Sequence, residues 1–280
     1  MAAGVVIGTN ISSLHAARVL SQNRTDLESA MARLASGKRL NSASDDAAAA
    51  SVAAKMTADI RSTDVAVRNI NDGISLFQTV DGASSEVENI LIRMRELAVQ
   101  MTNGTYSDGD RVNANKEFVA LTAEIERIAT KSAFNRVKFA GGDVTGMKIQ
   151  SGAAEDDNLA ASVLTLPDLR TGASSLAVSG VAISTATAAA AAVTAVDAAI
   201  IKVAGFRADT GATINRLGFA LSNAQNISQR LQEALSGLQD ADYAAESAAL
   251  ARGMVLAQAG SAMLAQANQA PQYVLMLLKA

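Results

Sequence analysis

Between residues 76 and 101 the apolar positions keep a seven-residue frame without a break. Leu76, Val80, Ala83, Val87, Ile90, Met94, Leu97 and Met101 alternate at spacings of four and three, the seam of a supercoiled helix about 39 Å long at the usual rise per residue. A second frame runs from 193 to 238 through Val193, Val196, Ile200, Val203, Arg207, Thr210, Ile214, Leu217, Leu221, Ala224, Ser228, Leu231, Leu235 and Leu238, about 69 Å of helix. Arg207, Thr210 and Ser228 interrupt that seam with Gly205, Gly211 and Gly218 nearby, so a local kink or weak turn is expected around 205–211. Phe118, Leu121, Ile125 and Ile128 mark a shorter amphipathic helix, entered through the turn cluster NGTYSDGD at 103–110. Helices this long cannot all curl round one compact centre, so they must pack side by side.

Composition agrees with long helices. The chain is 49% apolar and 3% aromatic, so its apolar content is mostly Ala, Leu, Val and Ile, and two prolines leave long stretches uninterrupted. With 24 basic and 27 acidic residues there is no broad electrostatic attraction for nucleic acid or anionic lipid. No cysteine is present, which removes disulfides, thiolate chemistry and Cys-type zinc sites. The first residues lack the basic and long apolar regions of a secretory signal, and no stretch is expected to be apolar enough to cross a bilayer. By these standard signals the chain reads as cytoplasmic, although some export systems use no cleaved signal.

From about 134 to 183 short alternating segments appear, VTGMKIQ at 144–150, LTL at 164–166 and SLAVSGVAIS at 175–184, punctuated by glycine. They predict hairpins or short strands. The Ala-rich TATAAAAAVTAVDAAI then starts the second long helix. The expected fold is mainly α: long antiparallel coiled-coil helices forming a rod, with a small β-hairpin region in the middle of the chain. The expected divisions are an N-terminal helix over 1–42, one half of the rod over 43–142, a short β-rich segment over 143–184, the other half over 185–240, and a C-terminal helix over 241–280.

Both ends differ from the middle. Leu20, Leu27 and Leu34 recur every seven residues, with Ile11, Leu14, Ala30 and Met31 close to that face. Leu250, Ala257 and Leu264 do the same, with Leu256, Gly260 and Met263 alongside, and from Ser247 to Leu278 Arg252 is the one charge. Such helices gain too little from propensity to stand alone in water, so both ends are expected to order only where many helices meet. The last stretch, QANQAPQYVLMLLKA, needs a cover. Gln258, Gln266, Asn268, Gln269 and Gln272 are amides that hydrocarbon would not satisfy, which argues against a membrane and for burial between copies. Pro271 should end or kink the last helix near 270, leaving Tyr273 to Leu278 as a short final turn.

The inventory offers little for catalysis. The one histidine, His15, sits in the N-terminal helix beside Leu14, and no cofactor is expected. Carboxylates pair at Asp45 and Asp46, Asp108 and Asp110, Asp156 and Asp157, and Asp240 and Asp242. Calcium needs six or more converging oxygens, so turns and caps are the expected use. Asp45 and Asp46 are expected to mark a handover between helices.

Several stretches carry a family resemblance: SGKRLNSASDDAAAASVAAKM at 36–56, NINDGISLFQTVDGA at 69–83, MRELAVQMTNGTYSDGDR at 94–111, EFVALTAEIERIA at 117–129, FRADTGATINRL at 206–217 and GSAMLAQANQAPQYVLMLL at 260–278. The chain resembles bacterial flagellins over roughly 1–142 and 190–280, as a short form with a reduced central region. The resemblance implies a structural, non-enzymatic subunit that polymerises into the flagellar filament used for motility. The terminal helices would line the inner tube, with subunit packing at Leu20, Leu27, Leu34, Leu250, Leu256, Leu264, Val274 and Leu277. It further implies an extracellular location reached by type III export without a cleaved signal peptide. The implied partners are other copies, an export chaperone on the C-terminal helix (Leu250 to Leu278), and filament cap and junction proteins. Toll-like receptor 5 is implied through Arg93, Leu97 and Glu117, residues that could equally serve packing. Neither nucleic acid nor membrane is implied.

Two departures stand out. Family members commonly have glycine after FN at the hairpin following the third helix, whereas Arg136 in FNRVKF argues against a left-handed or tight turn there, and the chain ends in Lys279 and Ala280 instead of a single arginine. Two other readings remain at this stage: a hook-filament junction protein, and a cytoplasmic coiled-coil signalling stalk.

Overall fold

A computed structural model describes residues 9–142, 147–152, 158–159 and 166–279, with the backbone alone for 158–159 and 270–279. Five helices dominate the described residues: α1 (Ile11–Ser36), α2 (Ala47–Thr102), α3 (Asp108–Lys131), α4 (Ala186–Gln239) and α5 (Tyr243–Lys279). Among the described residues, four two-residue strands lie between α3 and α4: β1 (Ala133–Phe134), β2 (Val137–Lys138), β3 (Ile149–Gln150) and β4 (Asn158–Leu159). They pair antiparallel as β1 with β2 and β3 with β4. The chain divides into two compact units, Met1–Ala58 with Leu231–Ala280, and Asp59–Arg230.

In the second unit, buried side chains on α2 recur at Ile70, Phe77, Ser84, Leu91 and Ala98, and again at Val80, Val87, Met94 and Met101. The heptad expected from the sequence therefore holds, but with one shift: Ala83 and Ile90 are half-buried, while the residues after them close the seam. Helix α4 repeats the shift, burying Ala192, Ala199 and Thr213 where Val193, Ile200 and Ile214 were expected, and keeping Val196, Val203, Thr210 and Leu217. The cause is the number of neighbours. Helix α2 meets α4 through Arg95 to Asp197 and meets α3 through Arg93 to Glu117, so its apolar stripe is three positions wide and the middle position is the driest.

Helix α3 begins as its turn cluster requires. Ser107 accepts the Asp110 amide through Oγ while the Asp110 carboxylate accepts the Ser107 amide, a complete capping box. Buried Arg111 closes the preceding turn, donating to the carbonyls of Met101 and Asn103 and pairing with Asp108. Phe118 and Ile125 are fully buried on its inner face. Helix α4 starts at the Ala-rich run with Thr185 Oγ1 accepting the Ala188 amide, and it stays helical through 205–211, so the weak turn expected there does not form. Gly205, Gly211 and Gly218 have open space where a side chain would lie.

Three further expectations change. The β1–β2 hairpin turns tightly through Asn135 at φ 46° and Arg136 at φ 67°, so the left-handed turn forms although arginine occupies the second position. Residues 175–184 are turns, not a strand. Ser175 and Ala177 donate backbone bonds to Gly172, and Ser179 donates to Thr171, which consumes the groups a ladder needs, while Leu176, Val178 and Ile183 still reach the core. Residues 164–165 and Asp156 and Asp157 lie outside the described residues. Finally, α5 runs through Pro271 to Lys279 without ending near 270.

Helix α4 and the Tyr243–Gln269 part of α5 are long and apolar enough to cross a membrane by length and composition, contrary to the sequence expectation. For α4 the reason is its alanine run, whose inner face, Ala189, Ala192, Val196 and Ala199, is buried in the core.

Candidate functional site

Helices α1 and α5 pack antiparallel against each other in the first unit. Heptad leucines on α1 sit on glycines of α5. A Cβ at Gly253 would lie 3.3 Å from Leu27 Cδ1, and one at Gly260 3.2 Å from Leu20 Cδ1. Glycine thus sets how closely the two backbones approach. Polar bonds fix the same register from end to end. Asn10 Nδ2 donates to the Ala267 carbonyl at 2.7 Å, Ser13 Oγ to Asn268 Oδ1 at 2.7 Å, and Asn23 Nδ2 to the Gly253 carbonyl at 2.9 Å. At the other end Arg33 pairs with Glu246 at 3.1 Å, and Tyr243 Oη donates to the Leu34 carbonyl at 2.9 Å.

The connectors beside that end are pinned together. Gly37 ends α1 in the left-handed conformation, φ 71°, and its carbonyl accepts the Ala241 amide, while the Arg39 amide donates to Gln239. Asp45 accepts the backbone amides of Ser42 and Asn41, and these bonds hold its carboxyl below the ordinary aspartate range. Asp46 accepts the Ala49 amide at the start of α2, and Asp242 accepts the Ala244 amide at the start of α5. Each of these carboxylates is occupied by turn or cap geometry. Among the described residues no group of three or more potential metal ligands occurs.

The pairing leaves several large apolar side chains uncovered. Ile11, Leu14, Val19, Met254, Val255, Leu256 and Met263 are all exposed, Val255 at 68% and Met263 at 64%. An open groove of about 640 Å³ runs along one flank, lined by Ile11, His15, Val19, Leu256, Ala259 and Met263 among others.

The packing residues singled out from sequence sort into three groups. Leu20, Leu27, Leu34, Leu250 and Leu264 are half-buried on the described helices, and Leu20 and Leu27 are engaged within the chain. Leu256 is exposed. The side chains of Val274 and Leu277 lie outside the described residues. Arg93 and Glu117 are brought together: Arg93 Nε and one terminal nitrogen donate to Glu117 Oε1 at 3.0 and 2.9 Å, and the other terminal nitrogen donates to Glu96. Glu117 and then Glu96 hold the guanidinium above the ordinary arginine range. Leu97 does not join them at the surface, being 4% exposed in the core. Sequence reasoning missed Gly253; its signal was the seven-residue interval from Gly253 to Gly260, matching that from Leu20 to Leu27.

The family model for the bacterial flagellin N-terminal helical region matches residues 7–142, and that for the C-terminal helical region matches 193–278. A flagellin of Halalkalibacterium halodurans is 42% identical over 275 residues, covering 98% of this chain and 100% of its own length. The chain belongs to the bacterial flagellin family. A flagellin of Listeria monocytogenes is 35% identical, covering 97% of this chain and 99% of its own. A Treponema maltophilum protein named flagellar filament 30.7 kDa core protein is 36% identical, covering 98% and 100%. The crystal structure of Bacillus cereus flagellin has 32% identity and a TM-score of 0.48, covering 56% of this flagellin and 88% of that one.

Proposed function

We propose that this flagellin polymerises with itself through the uncovered apolar faces of α1 and α5. Membership of the family makes it a structural subunit of the bacterial flagellar filament, an extracellular assembly used for motility. The observation that carries the assembly surface is the groove beside Val19 and Met263, apolar and open on a helix pair whose Asn10 and Asn23 already bond across it. Water would have to cover that surface in an isolated chain, and burial between copies removes the cost. The amides at 258, 266, 268, 269 and 272 favour protein over lipid as the cover. The junction-protein reading is not favoured, because relatives matched over their whole length are named flagellins and filament core proteins.

The same reading includes export without a cleaved signal, terminal helices that order on assembly, and a chaperone that holds Leu250 to Leu278 beforehand. Cap and junction proteins would meet the two ends of the polymer, and the protein would carry no enzymatic activity. Recognition by toll-like receptor 5 would rest on the surface pair Arg93 and Glu117, with Leu97 supporting the helix from inside.

Electron microscopy of purified protein tests the central claim. Long tubes are expected, and they should disappear when residues 1–40 and 241–280 are removed. If the trimmed chain still forms tubes, the terminal helices are not the assembly surface.

A further inference from the structure

We infer that Met263 is a redox-sensitive modification site, at which oxidation of the thioether by a hydroperoxide stops the chain from assembling. The inference rests on the self-assembly reading above and adds a chemical condition under which that assembly fails. The chain has no cysteine and no tryptophan but nine methionines, so its sulfur oxidation is methionine chemistry, and access decides which sulfur reacts. The methionines divide sharply. Met94 and Met101, 0% and 3% exposed, are sealed in the core of the second unit, and Met56 and Met147 are half-buried. Met31, Met254 and Met263 are exposed, Met263 the most.

Position separates Met263 from the other two. Among the described residues it is the one methionine that lines the groove. Leu256, Ala259 and Met263 follow one another at spacings of three and four, one face of α5, and Ile11, His15 and Val19 stand four apart on the α1 side. Met254 lies outside that lining although it precedes Leu256 by only two residues, because helix positions two apart do not share a face.

In the reaction the thioether sulfur attacks one peroxide oxygen. The S–O bond forms as the O–O bond breaks, the sulfur loses two electrons, and the other oxygen leaves, taking up a proton as water or an alcohol. The side chain stays uncharged, but a weak acceptor has become a strong one. In the separate chain water satisfies the new oxygen, since Met263 is already exposed. Covering the groove with a second copy strips that water away and leaves the oxygen among Val19, Leu256 and Ala259, where a buried acceptor without a donor is costly. Oxidation thus acts on assembly and spares the fold.

Hydrogen peroxide is the probe, applied to the full-length soluble chain until peptide masses show one added oxygen at Met263 and none at Met94 or Met101. The treated chain should keep the circular dichroism of the untreated one, while its critical concentration, read by sedimentation, rises roughly tenfold or more. Met263→Leu should assemble before and after treatment, because the swap keeps volume and removes the sulfur. Met263→Gln should assemble poorly without any oxidant, and Met254→Leu should lose assembly on treatment as the unaltered chain does. Polymer formed beforehand supplies a reading that needs no variant: Met263 should oxidise at least about fivefold more slowly there than in the soluble chain. Normal assembly of the oxidised chain or of Met263→Gln overturns the inference. So does a treated Met263→Leu that fails as the unaltered chain fails, or equal oxidation of Met263 in polymer and soluble chain. If the untreated, unaltered chain forms no polymer, the self-assembly reading itself fails and takes this inference with it, which is a distinct result.

Discussion

Leu27 of α1 lies directly on Gly253 of α5, so close that a methyl group at Gly253 would meet its Cδ1 at 3.3 Å. Leu20 repeats the relation on Gly260 at 3.2 Å, seven residues along each helix. A single methyl can be absorbed by rotating the leucine, but a branched side chain cannot. Gly253→Val and Gly260→Val should each destabilise the pair by about 1–3 kcal/mol, read as a lower melting temperature of assembled protein and faster amide exchange in α1. Gly237, which has nothing near its absent side chain, supplies the control: Gly237→Ala should leave both readings unchanged or improve them by up to about 1 kcal/mol.

Periodicity made most of this fold legible. The frames of α2 and α4 were readable because seam residues repeat over many turns, and the Ser107 cap was readable because its chemistry is local. The driest position in each heptad was not readable. Whether Ile90 or Leu91 closes the seam depends on α2 having two neighbours, and no local pattern carries that number. The alternation at 175–184 misled for a related reason: Leu176, Val178 and Ile183 are buried as a strand's would be, but turns hold the backbone. For the assembly surface, the heptad leucines were visible, yet Leu20 and Leu27 face glycines inside the chain. The apolar side chains left exposed are those flanking the seam, such as Val255 and Met263.

Arg136 holds φ at 67° in a two-residue turn whose first position, Asn135, is also left-handed. Such turns favour Asn-Gly, and an L side chain pays roughly 1–2 kcal/mol for left-handed backbone. Arg136→Gly should therefore stabilise the hairpin by about 1 kcal/mol, whereas Arg136→Ala should not. Thermal unfolding followed by circular dichroism decides it, and equal melting temperatures for the two variants would show that the turn is unstrained.

The Ser107 hydroxyl and amide both donate to the Asp110 carboxylate and hold its pKa below the ordinary aspartate range, the hydroxyl most of all. A carboxyl with a lowered folded pKa stabilises above its unfolded pKa, and the contribution is lost as pH falls through the folded value. Stability of the α3 entry should thus decline on acidification, beginning near pH 4, the ordinary aspartate range. Ser107→Ala should lower stability at neutral pH and flatten this part of the profile. Denaturant midpoints measured across acid pH for both proteins give the comparison, and parallel profiles would assign the pH dependence to other carboxylates.

Arg207 occupies a seam position of α4 that periodicity alone would give to an aliphatic residue, and its guanidinium explains the exception. It donates Nε to Asp81 Oδ1 at 3.0 Å and a terminal nitrogen to Glu88 Oε2, bridging two carboxylates seven residues apart on α2. Asp81 first and then Glu88 raise its pKa above the ordinary arginine value. The side chains are 25–40% exposed, so each pair contributes no more than about 1 kcal/mol. Arg207→Leu restores the apolar pattern but strands both carboxylates on a half-covered face, and should cost about 1–2 kcal/mol in denaturant unfolding. The triple variant Arg207→Leu, Asp81→Ala, Glu88→Ala should recover most of that loss, because no charge is then left without its partner. If Arg207→Leu alone is as stable as the unaltered chain, packing and not charge sets the value of this position.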